Sequence, residues 1–109
     1  MHIKIDQVDK LKITEKEFRQ QVLDLGRLLG FKCYFTWGSF HSPAGFPDLA
    51  MVKGRRLIFA ELKSEKGVMT WAQTEWLKDL EATGKCEVFI WRPSDWEEIV
   101  AKLKAIGDD

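Results

Sequence analysis

The stretch Gly45–Lys63, GFPDLAMVKGRRLIFAELK, joins two apolar runs through a short turn at Gly54–Arg55. Glycine at the first central position favours a two-residue type II′ turn, which predicts a β-hairpin. In that register Asp48 lies directly opposite Glu61, and Lys63 projects from the same face of the sheet. A three-residue turn would break this opposition unless a bulge restored it. The hairpin therefore predicts a cluster of three charges at the end of two strands.

The second strand of this hairpin is apolar at four consecutive positions, Leu57–Ala60, as is typical of a central strand covered on both faces. Two carboxylates at its end would repel each other, and burial makes their ionised forms costlier. Lys63 alone cannot balance two acids, whereas a hard divalent cation with oxygen ligands can. The alternative is an ion pair between Lys63 and one acid. The Glu-x-Lys that follows a strand, one hairpin after Gly-x-Pro-Asp, favours the metal site.

These residues predict a particular chemistry. A cation held by Asp48 and Glu61 would polarise a phosphodiester oxygen and lower the pKa of water, and Lys63 would position or deprotonate that water. The predicted reaction is phosphodiester hydrolysis. Pro47 stiffens the chain before Asp48, and Gly45 permits close backbone passage there.

Composition and charge set limits on the function. The chain of 109 residues is 45% hydrophobic with five Trp and seven Phe, which predicts one folded domain spanning 1–109. Its 17 basic and 17 acidic residues balance, so affinity for nucleic acid must come from a local patch. No stretch approaches the roughly 20 apolar residues of a membrane span. We therefore expect no membrane association and a reducing cytoplasmic location. Cys33 and Cys86 lack metal-ligand spacing, so no zinc site is predicted.

The periodicity predicts the element order helix, three strands, helix, strand, helix, which makes an α/β sandwich around a mixed sheet. The first helix runs from Thr14 to a stop at Gly30, and the last opens at Pro93. The other predicted elements are a strand at Phe31–Trp37, the hairpin, a helix at Thr70–Thr83 and a strand at Cys86–Arg92. Three helix starts carry capping boxes, which are Thr14-x-x-Glu17, Thr70-x-x-Gln73 and Ser94-x-x-Glu97.

Several motifs together resemble a known family. The motifs are GFPDL, ELK ending fifteen residues after Asp48, the glycine of EKG, the glutamine of WAQ, and WRPSDW. Together they resemble a stand-alone VRR-NUC domain, a branch of the PD-(D/E)XK nucleases often found in phages. The resemblance covers roughly Thr14–Leu103. It implies a PD-(D/E)XK core (αβββαβ), a mixed sheet flanked by helices. It also implies Mg²⁺ or Mn²⁺ bound by Asp48, Glu61 and the carbonyl of Leu62, with Lys63 at the nucleophilic water.

The same resemblance implies partners. Stand-alone members of the family are associated with homodimers and with branched DNA such as four-way junctions, and a phage protein of this kind would work in the bacterial host cytoplasm. No small-molecule cofactor is expected.

The family also places a glutamate of the first helix near the metal, within a pattern like TExEFQ. This chain reads TEKEFRQ, so Glu15 matches the family's acid, and Arg19 stands where a glutamine is usual. Two residues turn a helix by about 200°, so Glu15 and Glu17 cannot face the same site. Glu17 already has the capping role, which favours Glu15 as the site residue. The alternative is that Glu15 is a solvated acid favoured by the helix dipole.

Weaker candidates keep two interpretations each. Gln73 matches the family's glutamine and either points into the site or serves only its capping box. His41 and Ser42 lie in the loop before GFPDL, and they either contact a phosphate or are simply exposed to solvent. The remaining candidates are basic residues that either contact phosphate or are solvated, namely Lys53, Arg55, Arg56 and Lys66, and tryptophans more typical of a core or interface, namely Trp71, Trp76, Trp91 and Trp96.

Three classes of function follow. The first is a metal-dependent endonuclease acting on structured DNA. The second is a DNA-binding module or nuclease subunit that needs a partner to cut, although the complete Asp48, Glu61 and Lys63 set favours an active enzyme. The third is a structural or interaction domain, which would bind neither metal nor DNA.

Overall fold

The elements of the computed structural model, which describes residues 12–36 and 44–106, follow the predicted order. The helices are α1 (Glu15–Leu28), α2 (Trp71–Ala82) and α3 (Trp96–Lys104), and the strands are β1 (Lys32–Phe35), β2 (Leu49–Lys53), β3 (Arg56–Leu62) and β4 (Glu87–Trp91). A short 3₁₀ turn, Pro93–Asp95, precedes α3. No helix in these two ranges is long and apolar enough to cross a membrane.

The four strands form one mixed sheet in the order β1-β2-β3-β4. β2 is antiparallel to both β1 and β3, whereas β4 runs parallel to β3. This mixed sheet flanked by helices confirms the predicted α/β class. It also confirms that β3 is an internal strand, as its continuous apolar run indicates.

Helices cover both faces of the sheet. On one face, alternate residues of β2 and β3 pack with α1 and α3 in a single buried cluster that includes Phe18, Ile58, Ala60 and Ile99. On the other face, α2 lies against the opposite set of side chains. There, the Phe46 ring meets Phe59 and Trp76 edge-on at centroid distances of 5.9 and 5.0 Å. Because side chains alternate along a strand, Glu61 lies on the α2 face.

The hairpin has the predicted register. Lys53 pairs with Arg56, and Leu49 pairs with Ala60. Gly54 has φ +59°, whereas Arg55 has a negative φ, since every residue with a positive φ in the described chain is a glycine. A type II′ turn requires this combination at its two central positions. One further step along the hairpin sets Asp48 opposite Glu61.

Two of the three predicted capping boxes are confirmed. At the start of α1, the Thr14 hydroxyl accepts from the Glu17 backbone N–H at 3.1 Å, and Glu17 Oε1 accepts from the Thr14 backbone N–H at 3.1 Å. Thr70 and Gln73 form the equivalent pair at the start of α2.

The third predicted box, Ser94 with Glu97, is wrong. Pro93 lacks an N–H and has a preset φ, so it begins a turn before the helix. Asp95, rather than Glu97, then reaches back, and its Oδ2 accepts from the Arg92 N–H at 2.8 Å. The Ser94 N–H donates instead to Glu65 Oε2 at 3.0 Å.

Close backbone passage before Asp48 requires a glycine. Gly45 has φ +89°, and a Cβ added there would lie 2.6 Å from the carbonyl carbon of Ala72 in the first turn of α2. The loop that enters β2 therefore touches the α2 backbone, as predicted for this position. This contact fixes the start of α2, which carries Gln73, against the start of β2, which follows Asp48.

We predict that Gly45→Ala lowers the free energy of unfolding more than Gly54→Ala does. Both changes force alanine into the left-handed region, at about 1–2 kcal/mol. Only Gly45→Ala adds overpacking against backbone, which typically brings a further loss of about 1–3 kcal/mol, because nothing lies within 4 Å of a Cβ at Gly54. Urea denaturation measures both. Equal losses in the two variants would contradict the close approach.

Candidate active site

The three predicted charges meet at the end of β2 and β3. Glu61 is 1% exposed and Lys63 is 9% exposed, and Asp48 is half-buried. The Lys63 Nζ lies 3.4 Å from Glu61 Oε2. The predicted cluster is therefore present, and the contact between Lys63 and Glu61 is largely shielded from water.

Backbone contacts hold Asp48 in place. Its Oδ2 accepts from the Leu62 N–H at 3.0 Å, so the side chain caps the end of the hairpin ladder. The Asp48 carbonyl accepts from the Thr36 N–H at 2.9 Å, and the Thr36 hydroxyl donates to the Pro47 carbonyl at 2.8 Å. The Asp48 carboxylate is thus held by β3, and the Asp48 backbone is held by the residue that follows β1.

Gln73 combines the two roles that the sequence left as alternatives. Its amide oxygen accepts from the Thr70 N–H at 2.9 Å, which completes the capping box. Its Nε2 donates to Glu61 Oε2 at 3.0 Å. Because the cap fixes which end of the amide faces Glu61, Gln73 presents a donor to that carboxylate.

Glu61 is the most perturbed group in the site. Burial, followed by the nearby negative charge of Asp48, raises the pKa of Glu61 to about 8, against the opposing effect of Lys63. Both Lys63 and Gln73 contact Oε2. The other oxygen, Oε1, is buried without a hydrogen-bond partner among the described residues. A buried carboxylate oxygen of this kind is suited to a cation.

The donor set fits a hard divalent cation. Asp48 and Glu61 supply carboxylate oxygens, and the adjacent Leu62 carbonyl, which the sequence resemblance implies as a ligand, is a third oxygen donor. Within residues 12–36 and 44–106, no three acidic, histidine or cysteine side chains are grouped closely enough to hold a metal. Such a cation would keep several water or substrate ligands, as Mg²⁺ usually does.

Glu15 is not part of this group in the structure. It begins α1, which packs on the opposite face of the sheet from Glu61, and its Oε2 lies 3.9 Å from an Arg19 nitrogen. Glu17 is occupied by the capping box, and its hydrogen bonds with Thr14 lower its pKa. The role of Glu15 at the metal therefore stays a prediction.

Arg92 is a contributor that the sequence reasoning missed. Its Nη1 donates to the carbonyls of Ser64 and Gly67, both at 2.7 Å, and to that of Glu65 at 3.3 Å. This clamp orders the loop that directly follows Lys63. The arginine of WRPSDW is apparent in the sequence, but its partners are backbone carbonyls, and these cannot be identified from residue types.

The weaker candidates divide by their contacts. Lys53 Nζ donates to the Leu29 carbonyl at 2.7 Å, and Arg56 binds both oxygens of Glu87 at 2.8 Å, so these two have structural partners. Arg55 and Lys66 are exposed. His41 and Ser42 lie outside the described residues.

Three of the four tryptophans pack as predicted. Trp91 is 2% exposed in the core, Trp96 packs against that core, and Trp76 contacts Phe46. Trp71 differs, because it is 76% exposed at the first position of α2.

Comparison with known proteins identifies a structural neighbour. No protein-family model matches the chain, and no curated protein shows significant similarity to it. Among solved structures, the chain is similar to Hjc, a Holliday junction resolvase from the archaeal hyperthermophile Archaeoglobus fulgidus. The TM-score is 0.50 and the sequence identity is 24%, over 66% of this chain and 60% of the resolvase.

This similarity shows the fold. The chain has the α/β fold of the PD-(D/E)XK nucleases, with a mixed four-stranded sheet between helices. The match spans less than two thirds of the resolvase, so the activity of the resolvase is not transferred by the fold alone.

We predict that the metal-free protein loses stability relative to Glu61→Gln as the pH rises from about 5 to 8. The folded state keeps a proton on Glu61 up to a pKa of about 8, whereas the unfolded chain releases it near the usual glutamate value. Because the folded state binds more protons in this window, its stability falls with rising pH. Glutamine cannot ionise and removes this contribution.

Urea unfolding in EDTA at several pH values measures the effect, with the exposed Glu98→Gln as a control that keeps the parent's pH dependence. Parallel pH profiles for the parent and Glu61→Gln would show that Glu61 has no raised pKa.

Proposed function

We propose that the protein is a divalent-metal-dependent endonuclease that hydrolyses phosphodiester bonds in DNA. The observation that carries this proposal is the buried Glu61 beside the half-buried Asp48, with a Glu61 oxygen that has no partner among the described residues and with Lys63 in contact. The PD-(D/E)XK fold supports it, because the pair lies at the hairpin end where the sequence resemblance implies the metal ligands.

Each side chain of the proposed site would have a separate role in hydrolysis. Asp48, Glu61 and the Leu62 carbonyl would hold Mg²⁺ or Mn²⁺, which supplies Lewis-acid polarisation of the scissile phosphate and lowers the pKa of water. The Lys63 ammonium lies beside Glu61, where it orients the attacking water or neutralises charge that develops on the phosphate. Gln73 and the Leu62 N–H keep the two carboxylates in fixed orientations.

The raised pKa of Glu61 would couple cation binding to the loss of a proton from this carboxyl. Without metal, the carboxyl is largely protonated at neutral pH because its pKa is about 8. A cation favours the ionised form, so binding releases a proton and strengthens as the pH rises. Glu61 Oε1, which has no hydrogen-bond partner among the described residues, would be available as a ligand.

We also propose a particular nuclease family, oligomeric state and DNA substrate for the protein. The GFPDL, ELK and WRPSDW motifs support a stand-alone VRR-NUC nuclease of phage type, consisting of one domain and working as a homodimer in the host cytoplasm. The structural neighbour is by name a Holliday junction resolvase, which supports branched DNA as the substrate. Glu15 would join the metal site, or contact a water there, once metal and DNA are bound.

We predict that DNA cleavage requires Mg²⁺ or Mn²⁺ and falls at least about 100-fold in Asp48→Asn, Glu61→Gln and Lys63→Ala. The first two changes keep the side-chain shape while removing the anionic ligand, so the fold should be retained. Rates on labelled DNA with each metal, and with EDTA, measure this. Glu98→Gln, which alters an exposed acid of α3, is the matched control and should cut at the parent rate.

Two results would contradict the proposal. One is a Glu61→Gln or Asp48→Asn protein that cuts as fast as the parent. The other is a folded parent that cuts no linear, supercoiled or branched DNA with either metal, which would favour a binding module that needs a partner.

We predict a homodimer that cuts a four-way junction faster than a linear duplex. A small domain with balanced charge offers few phosphate contacts, which supply most nonspecific affinity. Two sites in one rigid frame make the second contact intramolecular when the arms of the DNA match their spacing. Light scattering and cleavage rates on one preparation measure both properties. A micromolar monomer that cuts both DNAs at equal rates would overturn this expectation.

A further inference from the structure

The sheet has exposed side chains on the same face as the acidic cluster. On this face β1 and β2 carry Lys32, Tyr34, Ala50 and Val52, because these residues alternate with the side chains that pack into the buried cluster on the other face. Tyr34 is 66% exposed, Val52 is 43% exposed, and Lys32 is also exposed. We call these four residues the open sheet face, since α2 packs on the same side without covering them.

The strand register places the open sheet face directly beside the acidic cluster. Tyr34 pairs with Ala50, and Ala50 pairs with Phe59, so these three side chains form one row across the sheet. Asp48 lies two residues before Ala50, and Glu61 lies two residues after Phe59, so both belong to the next row. The open sheet face and the proposed metal site therefore share one surface.

The spacing of a β-sheet gives the distances along this surface. Tyr34 and Asp48 are diagonal neighbours on two antiparallel strands, and such neighbours lie about 7–8 Å apart. Lys32 lies two residues further from the site along β1, which adds about 7 Å. Because each nucleotide of a duplex strand advances by about 3.4 Å, Tyr34 lies about two nucleotides from a phosphate at the acidic cluster, and Lys32 about four.

Tyr34 has an accessible aromatic ring. No described residue stacks on this ring or forms a hydrogen bond with its hydroxyl group. Aromatic side chains of this kind are the surfaces on which proteins stack unpaired bases, largely regardless of sequence. Ala50 and Val52 extend the apolar surface beside the ring. The open sheet face therefore suits a base more than a charged group at Tyr34.

The charges nearby favour a phosphate along β1. Lys32 is exposed, and no described residue forms an ion pair with its ammonium group. On α2, Glu75 and Asp79 line a separate hollow together with Trp76. Carboxylates repel phosphate, so a DNA strand on the open sheet face is expected to follow β1 rather than α2.

We propose that the open sheet face binds the DNA strand that is cut, with an unpaired base stacked on Tyr34 and a phosphate further along the strand at Lys32. The proposal rests on the nuclease function proposed above and specifies its substrate as DNA with unpaired nucleotides about two positions from the cleaved bond. A base within a duplex is stacked on both sides, so duplex DNA would not make the Tyr34 contact.

Two binding measurements test the proposal without cleavage. The background protein is Lys63→Ala with Mg²⁺, which keeps both carboxylates of the site. Fluorescence anisotropy at several NaCl concentrations gives the Kd and its salt dependence for two DNAs of equal length, a splayed-arm DNA with unpaired arms and a blunt duplex. A splayed-arm DNA with 2-aminopurine at one unpaired position at a time reports stacking, because the fluorescence of this base falls when it stacks.

Four further substitutions are compared in this background. Tyr34→Ala removes the ring, whereas Tyr34→Phe keeps an aromatic surface. Lys32→Ala removes the cation on β1, and Lys102→Ala removes an exposed lysine of α3 as the matched control.

The splayed-arm DNA should bind more tightly than the duplex and should show quenched 2-aminopurine near the cleaved bond. Tyr34→Ala should weaken splayed-arm binding about fivefold or more and abolish the quenching, with duplex binding unchanged. Tyr34→Phe should retain both properties. Lys32→Ala should lower the slope of log K against log salt by about 0.7, the value for one phosphate contact of a single strand. Lys102→Ala should behave as the background protein does.

Failure of the open sheet face and failure of the nuclease function give different results. If the parent cuts DNA while Tyr34→Ala binds and quenches the splayed-arm DNA as the background protein does, the face is wrongly assigned and the active site stands. If the parent neither binds nor cuts any of these DNAs, the nuclease function itself is contradicted.

A protein partner on this face would also be detected. If Tyr34→Ala converts a dimer into a monomer in light scattering and weakens both DNAs equally, the face is a contact between two copies of the chain and the proposal is wrong. Should Tyr34→Ala fail to fold, as judged by circular dichroism, the exposed Lys32→Ala decides, and an unchanged salt slope would overturn the proposal.

Discussion

The burial of Glu61 opposite Asp48 is the constraint on which the rest of the structure depends. Two carboxylates held out of water repel each other, so each must be balanced or remain protonated. Lys63 and Gln73 both contact Oε2 of Glu61, while the Leu62 N–H holds Asp48. These contacts leave Oε1 of Glu61 unsatisfied among the described residues. A bound cation would supply the partner that this oxygen lacks, which supports the proposed metal site.

The scaffold around this pair keeps it rigid. β3 is an internal strand, in which Glu61 pairs with Ile90 of β4 and the preceding residue, Ala60, pairs with Leu49 of β2. Gly45 lets the loop before Asp48 touch the first turn of α2, and Arg92 clamps the loop after Lys63 through three carbonyls. Rigid placement of ligands before the metal arrives is what a catalytic site needs, since reorganisation would reduce its rate.

The parts of this site that could be predicted from the sequence are those set by local rules. A glycine in a two-residue turn fixes the hairpin register, and strand alternation then places Asp48, Glu61 and Lys63 on one face. Thr14 and Thr70 were recognisable caps because their partners lie three residues ahead. The predicted Ser94 cap was wrong because Pro93 begins a 3₁₀ turn before the helix. The capping-box pattern considers only the residues from the cap onward, so it does not include the effect of a preceding proline. The position of Glu15 and the Arg92 clamp depend on how separate elements pack, and no short-range pattern encodes that.

We propose that Glu61, protonated in the metal-free protein, becomes a ligand when a divalent cation binds. Calorimetric titration of the protein with Mn²⁺ at pH 7, in two buffers of different ionisation enthalpy, counts the protons released on binding. With a Glu61 pKa of about 8, we expect release of roughly one proton per ion, and little release with much weaker binding in Glu61→Gln. Binding of Mn²⁺ without proton release, or with equal affinity in Glu61→Gln, would contradict it.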